Sequence, residues 1–200
     1  MPNLVVHPTS TAQWHALVSE AQSACGCILH EELESYLVFL LMRFADKPHM
    51  LARVLALDYL NSNKAAAGHG RQQQLRDVGD HCLLFSGLFP QQAERRMVKV
   101  SYFVDLGRVA YQQIADLTAS GMTALYAELA REFVSLMDIL QTMRELQGSQ
   151  SGLTPINAFE LWNETGSQHA YKIIRSVTRA CPVKSNQSRD ANRQQNTKLH

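Results

Sequence analysis

Glu34-Ser35-Tyr36-Leu37-Val38-Phe39-Leu40-Leu41-Met42-Arg43-Phe44 is the stretch on which the reading of the fold turns. Leu29, Leu33, Leu37, Leu40 and Phe44 recur three or four residues apart, the pattern of an α-helix with one face in a core. Residues 36–42 are apolar all round, so this helix, over about residues 28–45, is expected to be buried on most sides and to be the central one. The apolar run is far shorter than the roughly 18 residues that a membrane-crossing helix needs.

The same periodicity continues on both sides. Thr9-Ser10-Thr11 can cap a first helix through Trp14, Leu17 and Val18 that stops near Gly26. Pro48 ends the second helix, and a third carries Met50, Leu51, Val54, Leu55 and Leu60. Residues 61–70 read as a polar connection. A fourth helix over about residues 71–87 places Leu75, Val78, Cys82, Phe85 and Phe89 roughly in phase and is ended by Pro90. A fifth is expected over about 92–119 and a sixth over about 123–146. A shorter pair then surrounds Phe159, Leu161 and Trp162, followed by Tyr171, Ile173 and Ile174. No pair of alternating apolar runs flanks an Asn-Gly or Asp-Gly turn, so no hairpin is expected. The expected fold class is all-α: a single bundle of about six to eight helices over residues 1–181, followed by a disordered polar and basic tail over residues 182–200.

Composition bounds the function. The chain has 200 residues, 46% of them hydrophobic, enough for one domain with its own core and too apolar for intrinsic disorder. Lys and Arg number 19 against 18 Asp and Glu, and a net charge of +1 argues against a nucleic-acid-binding surface spread over the whole chain. The tail holds +3 through Lys184, Arg189, Arg193 and Lys198 against Asp190, which leaves −2 on the rest. The N-terminal residues carry no basic, apolar secretory leader, and no membrane association is expected. Four cysteines, Cys25, Cys27, Cys82 and Cys181, are too few and too scattered for a disulfide scaffold, so the cytoplasm is the expected compartment.

Several chemistries are absent as motifs. There is no Gly-Lys pair for a phosphate loop, and Gly68-His69-Gly70 lacks the third glycine and preceding strand of a dinucleotide fingerprint. No Gly-x-Ser-x-Gly elbow occurs. His30-Glu31-Glu32-Leu33-Glu34 begins like a zinc-protease helix but lacks its second histidine. No glutamate is followed three residues later by histidine, which removes the ferritin type of di-iron bundle. Cys25-Gly26-Cys27 offers two thiols where structural zinc needs four ligands, and the other cysteines are distant and single.

What remains is Arg76-Asp77-Val78-Gly79-Asp80-His81-Cys82. On a helix Asp77 and His81 lie one turn apart on the face of Leu84 and Leu88, and Asp80 lies close to it. Glu31 and Glu34 stand in line with Val38 and Leu41 on the second helix. Carboxylates on apolar faces are expensive unless paired or metal-bound. Glu31, Glu34, Asp77, Asp80 and His81 facing one another would make an oxygen-rich site for iron or manganese, as on a haem-oxygenase-like bundle. The preferred reading is structural, because Arg43, Arg53, Arg76, Arg95, Arg96 and Arg108 can pair with these acids, and no cofactor is expected on it.

Arg76 and His81 also match the Arg-x-x-x-x-His spacing of HEPN-type ribonucleases, although chance alone gives about 1.6 such pairs in this chain. On the fifth helix Tyr102, Asp105, Arg108 and Tyr111 recur among apolar residues, either lining a polar pocket or, preferably, forming an inter-helix network.

The segment Gly79-Asp80-His81-Cys82-Leu83-Leu84-Phe85-Ser86-Gly87-Leu88-Phe89-Pro90, with residues 34–41 before it and Ser101-Tyr102-Phe103-Val104-Asp105-Leu106-Gly107 after it, resembles a pattern in all-helical bacterial proteins that have no assigned activity. The likeness covers about residues 30–115 and implies a soluble helical bacterial protein, with no functional residue to carry over. Gly87 then reads as a left-handed helix C-terminus ahead of Phe89-Pro90. The functional expectation is a non-enzymatic helical module for a protein partner or small molecule, with homodimerisation through an exposed apolar face as one form of it. The metal-dependent enzyme and the ribonuclease stand as alternatives.

Overall fold

The computed structural model describes residues 10–46, 69–95, 97–117, 122–148 and 152–178. The expected third helix, the connection at residues 61–68 and the tail at 182–200 lie outside them. The protein is all-α, and the described residues contain no strand. In chain order the helices are α1 (Ser10–Cys25), α2 (Glu31–Asp46), α3 (His69–Leu88), α4 (Pro90–Arg95), α5 (Val100–Leu117), α6 (Met122–Arg131), α7 (Phe133–Leu146), α8 (Pro155–Thr165) and α9 (Gln168–Val177).

Two expected helices are interrupted. The fifth splits into α4 and α5 at Met97, whose backbone takes φ +56° in the left-handed region. The sixth bends at Glu132, between α6 and α7. Its ladder continues through the bend, since Glu132 N–H donates to Glu128 O at 2.8 Å and Leu136 N–H to Glu132 O at 2.9 Å. The C-terminal pair is sharply delimited. Thr154 caps α8 by accepting from Asn157 N–H, Pro155 follows at the first helical position, and Gly166 at φ 81° ends the helix.

The centre of the bundle is α3 rather than α2. Residues 78–87 are buried without interruption, whereas α2 leaves Phe39 61% exposed. The greasy run at 36–42 suggested the opposite, but the residues of α3 suit a crowded position because several are small. A Cβ on Gly79 would overlap the Tyr111 ring of α5, and one on Gly107 of α5 would fall 2.9 Å from Cys82 Cβ and onto the Phe133 ring. Helices α3 and α5 therefore approach closely, with α7 on another side of α3 and α6 against α5. Helix α1 packs on α2 and α7, and α8 pairs with α9.

Gly87 is helical and does not have a positive φ, which corrects its reading as a left-handed terminus. A side chain there would press on Leu140 of α7, with Cβ atoms 2.5 Å apart. Hydrogen bonds tie this buried turn to its own helix and to α7. Ser86 Oγ donates to Cys82 O at 2.8 Å and Gln141 Nε2 donates to Ser86 O at 3.0 Å.

Candidate functional site

Asp80 stands at the midpoint of α3 with no solvent exposure. Leaving a carboxylate unpaired there would cost several kcal/mol. Helices on two sides supply its partners. Tyr36 of α2 donates its hydroxyl to Oδ1 at 2.6 Å, and Tyr111 of α5 donates to the same oxygen at 2.7 Å. Arg43 of α2 donates Nη2 to Oδ2, and Arg76, one turn earlier on α3, brings Nε to 3.7 Å from Oδ2.

Burial, reinforced by the Asp80 carboxylate, pushes both tyrosine hydroxyls well above their ordinary range, so they remain protonated donors. Arg76 also lies over the Tyr36 ring, 5.8 Å from its centroid. Tyr36, Tyr111 and Tyr126 meet with ring centroids 6.1–6.4 Å apart and wall the group from α2, α5 and α6. Two guanidiniums face one carboxylate. The side chains of Arg43 and Arg76 are 28% and 37% exposed, so the surplus charge reaches water.

The other sequence candidates do not join this cluster. Glu31 is exposed at the start of α2. Glu34 lies 3.3 Å from His15 Nε2, and Asp77 is half-buried and accepts from Gln73 Nε2 at 3.0 Å. His81 is 3% exposed, beneath the surface, while Arg76 is turned towards Asp80 and Tyr36. Arg76 and His81 thus share no open face on which a phosphate could rest. Among the described residues no three His, Cys, Asp or Glu side chains gather as a metal-holding group.

Tyr102, Asp105 and Arg108 are exposed and Tyr111 is fully buried, so these four do not line one pocket. Arg108 instead donates Nε to Ala130 O at 3.1 Å. A spacing of nine residues is about two and a half helical turns, which puts Tyr111 on the face opposite Tyr102.

A second buried carboxylate escaped the sequence reading. Asp138 of α7, 2% exposed, accepts from Ser167 Oγ at 2.6 Å, Gln168 N–H at 2.8 Å and His169 N–H at 3.2 Å. It therefore receives the first amides of α9, where the helix dipole favours negative charge. Burial pushes its carboxyl above the ordinary range, against the opposing pull of the Ser167 and amide hydrogen bonds. Its signal was a single acid inside the apolar run Leu136-Met137-Asp138-Ile139-Leu140. Asp138→Ala is expected to cost about 1.5–3 kcal/mol through loss of hydrogen bonds to a charged group. Amide exchange should speed up across α9 first, and unchanged protection there would refute this docking role.

Beside α9 runs an open groove of about 600 Å³ lined by Ala24, Thr142, Glu145, Leu146, His169, Lys172, Ile173 and Ser176. Within it Thr142 Oγ1 lies 3.3 Å from His169 Nδ1, and His169 Nε2 lies 3.2 Å from Glu145 Oε1. That order of hydroxyl, imidazole and carboxylate is not arranged for nucleophilic catalysis. The Thr142 hydroxyl already donates to Asp138 O at 2.8 Å and does not offer its proton to the imidazole.

Comparison with family models, curated proteins and solved structures finds no match to this chain. No helix among the described residues is long and apolar enough to cross a membrane.

Proposed function

We propose that this protein is a non-enzymatic helical module that binds a small molecule or protein partner, with Asp80 holding the scaffold together. The observation that carries this reading is the saturation of Asp80. Both carboxylate oxygens are occupied, by two hydroxyls and two guanidiniums, at a position with no access to water. A carboxylate sealed from water in this way is out of a substrate's reach, and the Arg43 guanidinium stands where a metal ion would have to sit.

The groove beside α9 is the favoured place for a small ligand, because its apolar residues Leu146 and Ile173 adjoin the polar His169, Glu145 and Ser176. Exposed apolar side chains, among them Phe39 and Ile28, favour a protein partner or second copy of the chain. A bacterial cytoplasmic setting completes the reading, on the scattered cysteines and the resemblance of residues 30–115.

Two measurements test it. Protein purified without chelator should contain iron, manganese and zinc far below one equivalent, and near-stoichiometric metal would overturn the non-enzymatic reading. A mixture of fluorinated aromatic and aliphatic fragments should show line broadening for a subset of members, removed by Ile173→Glu. Absence of binding, or binding unaffected by that substitution, would remove the groove.

A further inference from the structure

Cys25 is the last residue of α1, and Gly26, at φ +74°, turns the chain back so that Cys27 faces it. Glycine suits that left-handed position, and no side-chain or backbone atom crowds the place of its missing Cβ. Cys27 N–H donates to Cys25 Sγ at 3.3 Å and also to Gln22 O at 3.1 Å, which closes the helix end. Cys25 Sγ itself donates to Gln22 O at 3.4 Å, so its sulfur lies between the end of α1 and the backbone of Cys27. From α9, Lys172 Nζ donates to the carbonyls of Ala24 at 3.1 Å and Cys25 at 2.9 Å, which fixes this turn beside the groove. Cys27 is partly exposed, while Cys82, the remaining described thiol, is wholly buried.

We propose that Cys25 and Cys27 form a thiol–disulfide redox site, closed to a disulfide within Cys25-Gly26-Cys27 by exchange with a small disulfide of the glutathione class. The electrostatics divide the labour. The hydrogen bond from the Cys27 thiol lowers the Cys25 pKa to about 7, assisted by the Cys27 amide and Lys172 and opposed by burial and Asp138. Sharing its proton with Cys25, together with burial, pushes the Cys27 thiol up. Burial alone does the same to Cys82 and leaves it inert.

In the exchange, the Cys25 thiolate attacks one sulfur of the incoming disulfide and expels a thiolate. Cys27 loses its proton and attacks the Cys25 sulfur, expelling the second thiolate. The cysteine pair gives up two electrons and its protons, and the partner disulfide becomes two thiols. This site is independent of the binding reading above and can stand or fall without it.

The test uses the full chain carrying Cys181→Ser, equilibrated without oxygen in defined mixtures of reduced and oxidised glutathione, then alkylated and mapped by mass spectrometry. As the oxidised share rises, Cys25 and Cys27 should become unavailable to alkylation together, with the loss of two hydrogens from the segment joining them. Cys27→Ser should instead leave Cys25 as a mixed disulfide with glutathione. In the reduced protein, alkylation of Cys25 should reach half its maximal rate near pH 7, with Cys27 reacting only at much higher pH. Two thiols that stay reduced in excess oxidised glutathione, or that acquire glutathione independently without joining, would overturn the proposal.

Discussion

Asp80→Ala is expected to lower the unfolding free energy by about 3–5 kcal/mol, the usual consequence of removing one partner from a buried charged pair. The loss has identifiable parts. The hydroxyls of Tyr36 and Tyr111 lose their acceptor, and Arg43 and Arg76 face each other with no anion between them. For a chain of this length the melting temperature should fall by about 6–20 °C. Asp80→Asn should be milder, since it keeps one acceptor oxygen for the tyrosines. Urea unfolding measures both, and a midpoint for Asp80→Ala equal to that of the unaltered protein would show the cluster to be energetically idle.

Gly79→Ala is expected to destabilise by about 1–3 kcal/mol, although glycine to alanine in an exposed helix normally stabilises by about 1 kcal/mol. The sign reverses because the added methyl would overlap the Tyr111 ring. That ring has no easy retreat. It is fully buried, its hydroxyl is held by Asp80, and it packs 6.0 Å from the Phe133 ring. Gly107→Ala should behave alike, since its methyl meets Phe133 and Cys82. A Gly79→Ala protein as stable as the original in urea would mean that α3 and α5 have slack between them.

These two substitutions also mark how far the sequence could be read. Periodicity gave the helical class, because Leu, Val and Phe at three- and four-residue intervals need only one buried face to be legible. It misplaced the centre, since residues 36–42 advertise burial while 78–87 hide it among Gly79, Asp80, His81, Ser86 and Gly87. Small and polar residues are buried where neighbouring helices come closest, and that depends on partners such as Leu140 and Tyr111 far along the chain.

Asp80 was legible as an acid close to the apolar face of Leu84 and Leu88, and Arg43 and Arg76 were among the arginines it could meet. Tyr111 and Arg108 make inter-helix hydrogen bonds of the kind preferred for their group, to Asp80 and Ala130 O, but a three-residue spacing drifts around a helix of 3.6 residues per turn and leaves Tyr102 on the far side. Glu34 and Asp77 reach neither Asp80 nor a common hollow, so the locking role belongs to Asp80 and to the unforeseen Asp138.

The link between α3 and α5 through that central acid is open to one direct measurement, a double-mutant cycle of Asp80→Ala and Tyr111→Phe followed by urea unfolding. If the hydroxyl and the carboxylate hold the helices as a unit, the two changes together should cost less than their sum by about 1–3 kcal/mol. Losses that add to within about 0.3 kcal/mol would contradict it.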